Sequence, residues 1–253
     1  MTIDLNCDMG ESYGNFKIGN DEAVFASISS CNIACGAHGG DPVTIEKTVK
    51  LAVKHNVQIG AHPSYPDLAG FGRRKMHLSK EELMATIKSQ IAIIDGLSRS
   101  HNGLMQYVKP HGALYNSLQN DAEEAAIFTQ AVKSYRKDLS IMGLPKSELH
   151  KMADKHDVNY ICEGFIDRLY QNDGSLMPRG KSGAVLTSID EMIDQFKSIV
   201  LDNTVRTGKN EKLRIKVDSL CIHGDNPKIV ALLESLSKIL KSNGIAIKKS
   251  LTP

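Results

Sequence analysis

No apolar stretch in this 253-residue chain approaches the roughly 18 residues that a membrane span requires. The N-terminus runs straight into Ile3-Asp4-Leu5, without the basic and then apolar segments of a secretory leader. Neither sign of charge dominates: 31 Lys and Arg stand against 29 Asp and Glu, leaving a formal +2 and no global field for nucleic acid or an anionic membrane. These absences predict a cytoplasmic protein that binds neither, with any anion site built locally. The five cysteines are an odd number, and Cys31 and Cys35 do not have zinc-ligand spacing, so small buried thiols in a reducing compartment are expected. There is no Gly-x-Ser-x-Gly elbow, dinucleotide fingerprint or kinase signature. The stretch Gly174-Ser175-Leu176-Met177-Pro178-Arg179-Gly180-Lys181-Ser182 imitates a phosphate loop but places five residues between its glycines where the motif has four, and it follows no strand. Low-complexity segments, internal repeats and linkers rich in Pro, Gly or Ser are also missing.

What remains is a chain with 41% hydrophobic residues, enough for one barrel-sized α/β domain over residues 1–253. Strand-like runs recur at 3–8, 30–36, 57–62, 105–111, 139–144, 158–165 and 219–223. Helical patterns with start signals lie between most of them. Asp41-Pro42 supplies an N-cap and a first-turn proline, Ser79 to Glu82 and Ser188 to Glu191 read as capping boxes, Asp121 and Asp225 open two more helices, and the last helix ends near Asn243-Gly244. Strand then helix, repeated about seven times, predicts a parallel sheet with helical crossovers. Residues 202–213 read as a polar excursion before the last barrel strand, with short extra strands at 183–187 and 244–250.

The ionisable and glycine-rich clusters all follow the strand-like runs, and parallel α/β folds gather the carboxyl ends of their strands into one chemically active rim. Side chains alternate along a strand, so Asp4, Asn6 and Asp8 share one face, opposite Ile3, Leu5 and Cys7. That polar face is either a hydrogen-bonded layer inside a barrel or part of a site. The same parity pairs Lys109 with His111 and His223 with Asp225. His38, His62, His111 and His223 each follow a different strand, as an active site built from several strands requires. Asp8 with His38 and His62 could hold a divalent metal, since carboxylate and imidazole are its usual ligands, and the metal-free reading stays equally open. Arg73 and Arg74, in Gly70-Phe71-Gly72-Arg73-Arg74, suit a carboxylate or phosphate, or else form a solvated pair. Glu163, Asp167 and Arg168, with Asp173-Gly174 and Pro178-Arg179, form a second charged patch that is either part of the site or a surface salt-bridge network.

Five motifs in order resemble the LamB/YcsF family: Asp-Leu-Asn-Cys-Asp-Met-Gly-Glu at 4–11, Asn-Ile-Ala-Cys-Gly-Ala-His-Gly-Gly-Asp-Pro at 32–42, Gly-Ala-His-Pro-Ser-Tyr-Pro-Asp at 60–67, Lys-Pro-His-Gly-Ala-Leu-Tyr-Asn at 109–116 and Cys-Ile-His-Gly-Asp at 221–225. The departures are small: Ser12-Tyr13 where the family tends to glycine and an aromatic, and Ala37 where it often has phenylalanine. The resemblance implies a distorted seven-stranded (β/α) barrel, TIM-barrel-like and related to carbohydrate deacetylase and glycoside hydrolase barrels. It also implies action with two partner subunits, B and C, to open 5-oxoproline to L-glutamate at the expense of ATP. A five-membered lactam is an unstrained amide and a poor electrophile, so phosphorylating its carbonyl oxygen prepares it for water. On that expectation Asp8, His38 and His62 supply a general base or metal ligands, Lys109, Arg73 and Arg168 supply cations, and His111 or His223 donates a proton, with Asn6, Arg74 and Glu163 contributing to the substrate or phosphate site. Two other functions fit the same residues: a stand-alone metal-dependent deacetylase or amidase, and a non-catalytic subunit that positions partners.

Overall fold

The computed structural model describes residues 2–209, 211–224 and 228–251. Among these, ten strands occur: β1 (Thr2–Met9), β2 (Ser30–Ala34), β3 (Gln58–His62), β4 (Met105–Val108), β5 (Ser140–Gly143), β6 (Tyr160–Phe165), β7 (Thr204–Arg206), β8 (Lys212–Arg214), β9 (Ser219–His223) and β10 (Ala246–Ile247). Eight α-helices accompany them: α1 (Asp21–Val24), α2 (Pro42–Lys54), α3 (Lys80–Ser100), α4 (Gly112–Ser117), α5 (Ala122–Tyr135), α6 (Glu148–Lys155), α7 (Ile189–Asp202) and α8 (Ile229–Ser242). Seven parallel strands close on themselves in the order β1-β2-β3-β4-β5-β6-β9, with β9 pairing back to β1. The fold is therefore the distorted seven-stranded (β/α) barrel that the family resemblance implies.

Register explains why the interior is polar. Asp8 on β1 lies beside Asn32 on β2 and His223 on β9, while Asp4 lies beside Ser219. Asp4 is 1% exposed; it accepts hydrogen bonds from the hydroxyls of Ser29 and Ser30 at 2.6 Å each and from Ser219. Burial pushes its carboxyl above the usual range against the pull of those hydroxyls. Above it, Asn6 donates to Ser219 (2.8 Å), and Asn32 donates to Asn6 (2.7 Å) and to Asp8 (2.8 Å). Tyr107 completes this column by donating to Asn32 Oδ1 at 2.7 Å. A Cβ on residue 60 would overlap the Tyr107 ring, so only glycine lets the ring cross β3. Every polar group in the column is partnered, which is what makes its burial tolerable.

The opposite strand faces carry Leu5, Cys7, Met9, Cys31, Ile33 and Ile59 into the helical layer, where they join buried residues such as Val49, Ile87, Phe128 and Leu236 in the main core. Four of the five free cysteines are buried and Cys162 is half-buried. Helix starts follow the sequence signals. Asp41 caps α2 through Thr44 N (2.9 Å), Ser79 and Glu82 form a reciprocal capping box, and Asp121 caps α5 through Glu124 N (3.0 Å). Ser188 precedes α7 but makes no side-chain cap bond, so the second expected box is incomplete. Asp225, expected to open the last helix, lies outside the described residues.

Three irregular regions differ from their simple sequence readings. The excursion at 202–213 contains the antiparallel hairpin β7–β8. Residues 183–187 form only an isolated bridge between Val185 and Arg168, whereas β10 within 244–250 does extend β1. The fourth barrel strand ends at Val108 because Pro110 has no N–H to continue it. Lys109 N to Ala61 O (2.9 Å) and His111 N to Pro63 O (2.8 Å) nevertheless carry the ladder past that proline. Lys109 and His111 thereby keep the strand parity that the sequence suggests.

Candidate active site

At the carboxyl ends of the strands lies a cavity of about 280 Å³ lined by Asp8, Glu11, His62, Arg73, Lys109, His111, Phe165, Arg168, Arg179 and His223, among others. Lys109 organises its floor. The residue is 1% exposed, and its Nζ lies 2.9 Å from Asp8 Oδ1, 2.7 Å from Glu163 Oε1 and 3.2 Å from Asn6 Oδ1. Burial opposes its charge, but Asp8 and Glu163 reverse that penalty and hold its pKa well above the usual value. Asp8 is the counterpart: burial pushes its carboxyl up, while His62 and Lys109 outweigh burial and hold it well below the ordinary range. Tyr115 donates to the second oxygen of Glu163 at 2.9 Å. Asn6 therefore supports this floor from within the barrel rather than lining the cavity.

A histidine cluster forms one wall. His62 Nδ1 lies 2.7 Å from the Lys109 carbonyl oxygen, and His62 Nε2 lies 3.0 Å from His111 Nδ1. His111 Nε2 faces the Phe71 carbonyl at 3.0 Å. His38 stacks on His111 with centroids 3.7 Å apart, its Nδ1 meeting Ser64 Oγ at 3.0 Å and its Nε2 facing Glu11 Oε1 at 3.5 Å. Burial and neighbouring histidines hold both His38 and His111 well below the usual imidazole pKa, so both rings are neutral at neutral pH. The loop after β3 is pinned here by Ala113 N donating to Gly72 O at 2.8 Å. Gly112 has φ +59°, and a Cβ there would come within 2.5 Å of Gly72 O, so this junction requires glycine.

The other wall is cationic. His223 is oriented by Asp167, with Nδ1 2.6 Å from Asp167 Oδ2, while Arg179 donates to His223 Nε2 at 2.9 Å. Burial lowers the His223 pKa, but Asp167 more than offsets it and raises the pKa overall, with Arg179 acting in the opposite sense. Arg168 is 4% exposed and donates to Met177 O at 2.6 Å; burial and the nearby Arg179 charge lower its pKa to about 10. Gln195 of α7 secures this loop by donating to Phe165 O (2.9 Å) and Arg168 O (2.5 Å).

Most of the residues singled out in the sequence thus converge: Asp8, His62, Lys109, His111, His223, Arg73 and Arg168 line the cavity, and Glu163 lies directly beneath Lys109. Arg74 does not. Its guanidinium is captured by Asp67, with Nε 3.0 Å from Oδ1, and belongs to the loop's own ion pair. His38 stands behind His111. The carboxylate–imidazole donors that do converge are Asp8, Glu11, His62 and His111, all within 4.8 Å of one another. Sequence reasoning passed over Glu11, Asn32 and Tyr115 as site residues and placed Arg179 only in the second charged patch. Glu11 closes the first quoted motif, Asn32 shares the register of Asp8, and Arg179 sits in the phosphate-loop imitation, so each had a signal nearby.

The family model of the LamB/YcsF family matches residues 3–252. A relative from Pyrococcus abyssi, 42% identical over 98% of this chain and 97% of its own, is named as the A subunit of 5-oxoprolinase. One from Bordetella parapertussis with the same name is 45% identical over 97% of this chain and 98% of its own. The crystal structure of a lactam utilization protein from Thermus thermophilus superposes with a TM-score of 0.91 at 37% identity, covering 98% of this chain and 99% of that one.

Proposed function

The chain belongs to the LamB/YcsF family, and from that premise we propose that it is the A subunit of an ATP-dependent 5-oxoprolinase that opens 5-oxoproline to L-glutamate. The names carried by its relatives support the lactam substrate and an assembly of more than one subunit, and the family resemblance adds that the others are two, B and C. The observation that carries the reading is the meeting of ionised Asp8, the Asp167–His223 pair and the guanidiniums of Arg73, Arg168 and Arg179 around one small cavity. ATP consumption is assigned to the assembly as a whole.

Ring opening adds one water across the amide. The water oxygen bonds to the carbonyl carbon, the C–N bond breaks, and the nitrogen takes up a proton to become the amine of glutamate. Asp8, kept charged by Lys109, orients the water and accepts its proton. His223, held at Nδ1 by Asp167, exchanges the proton with the ring nitrogen through Nε2 once the substrate displaces Arg179 from that nitrogen. Arg73, Arg168 and Arg179 hold the substrate carboxylate or a phosphoryl group. Lys109 acts from beneath, fixing Asp8 and Glu163 rather than reaching an oxyanion. His111, with one nitrogen tied to Phe71 O and the other facing His62, is a poor proton donor to substrate.

The convergent donors of Asp8, Glu11, His62 and His111 favour a second reading, a metal-dependent amidase that needs no partner. The test is glutamate release from 5-oxoproline by this chain alone, by the B and C subunits alone, and by all three with ATP. Release only by the complete set is expected. ATP-independent release by the chain alone would establish the second reading, and full turnover by B and C without it would make this chain dispensable.

A further inference from the structure

The tautomers of His62 and His111 follow from their partners. A carbonyl oxygen can only accept, so His62 Nδ1, 2.7 Å from Lys109 O, carries a hydrogen, as does His111 Nε2, 3.0 Å from Phe71 O. In neutral rings, the remaining nitrogens, His62 Nε2 and His111 Nδ1, present lone pairs to each other at 3.0 Å. Two lone pairs at that distance repel unless a positive centre lies between or beside them. Two carboxylates flank the pair: Asp8 Oδ2 is 3.4 Å from His62 Nε2, and Glu11 Oε1 is 3.6 Å from His111 Nδ1. Lys109 approaches Asp8 through Oδ1, so Oδ2 is the oxygen that faces the imidazoles.

The spacing suits a metal. Zinc–nitrogen bonds of about 2.0–2.1 Å in a tetrahedral arrangement place neighbouring donor atoms roughly 3.3 Å apart, and the edges here are 3.0, 3.4 and 3.6 Å. Each imidazole also donates its second N–H to a main-chain carbonyl, the support that fixes the orientation of metal-bound histidines. We propose that Asp8, Glu11, His62 and His111 form a binding site for one divalent transition-metal cation of the zinc class, with His38 steadying Glu11 and His111 from outside. With the metal bound, Asp8 serves as its ligand in place of the base role given above; the inference concerns the same pocket, but it stands apart from the identity of the substrate because binding of the metal needs no lactam.

The test is isothermal titration of zinc chloride into the chelator-treated full chain, with melting temperature read in parallel and zinc X-ray absorption on the loaded protein. One zinc per chain, a raised melting temperature and a shell of two imidazoles with oxygen donors are expected. Glu11→Gln and His111→Gln should each weaken binding at least ~10-fold, whereas His101→Gln, at a surface histidine paired with Glu46, should leave it unchanged. Absence of one-to-one binding of zinc, manganese and cobalt by the unmodified chain would overturn the proposal. So would affinity undiminished in both pocket variants, because the metal would then sit on surface histidines. Failure of glutamate release with metal binding intact would refute only the substrate assignment.

Discussion

Replacing Lys109 by methionine tests the electrostatic floor of the site. Methionine occupies a similar volume but supplies neither charge nor donor, so Asp8 and Glu163 would lose a cation now 2.9 and 2.7 Å away. Deleting one partner of a buried ion pair costs about 3–5 kcal/mol. Because two buried carboxylates lose their counter-charge together, the loss should lie near the upper end, at ~4–5 kcal/mol. In a chain of this length each kcal/mol lowers the melting temperature by roughly 2–4 °C, so a fall of roughly 8–20 °C is expected. Urea unfolding followed by circular dichroism, with the slope checked for constancy, gives the free energy directly. Adding Glu163→Gln removes one of the stranded charges and should return ~1–3 kcal/mol. A Lys109→Met variant within ~1 kcal/mol of the unmodified chain, below the range for a buried pair, would refute this account of the floor.

Arg168→Met and Arg179→Met should each raise KM for the lactam at least ~10-fold in the assembled enzyme, about what one charge-assisted hydrogen bond contributes. Arg74→Met should leave kcat/KM unchanged, since Asp67 already holds that guanidinium outside the cavity. Tyr107→Phe strands Asn32 Oδ1 and should cost ~1–3 kcal/mol in urea unfolding. Asp21, bonded to Gly10 N at 2.8 Å, has its pKa raised to about 6, chiefly by burial. A carboxyl raised in the folded state stabilises that state while protonated, so its contribution is present below the unfolded value and is lost as pH rises through about 6. Asp21→Asn should therefore flatten the decline in stability between about pH 4 and pH 6, measured as melting temperature against pH.

The alternation of parallel strands and helices was legible because β-branched runs and helix caps alternate along the chain, and period-two parity puts Asp4, Asn6 and Asp8 on one face; closure into a seven-stranded barrel was implied by the family resemblance. Site residues on strands or immediately after them, such as His62, Lys109 and His223, followed from the same logic. What escaped the sequence depends on how the rim loops fold. Arg73 and Arg74 are indistinguishable as neighbours, and only the position of the Asp67 carboxylate separates the cavity-lining one from the loop's own ion pair. Glu11 meets His111 across 100 residues of sequence through loop paths that no periodicity encodes. His38 looked equivalent to His62 because each follows a strand, yet its Nδ1 is taken by Ser64 and its ring stacks behind His111.

Glutamate release by the reconstituted assembly carrying Asp8→Asn tests most directly the claim that the lactam is opened in this pocket. The substitution keeps the size of the side chain and removes its charge and basicity; general acid–base contributions of ~10²–10⁴-fold set the expected loss in kcat. Assembly with the partner subunits and the melting temperature should be checked on the same preparation. A loss of that size in an intact, folded assembly is the predicted result, whereas near-normal turnover would contradict the account and place the chemistry elsewhere in the assembly.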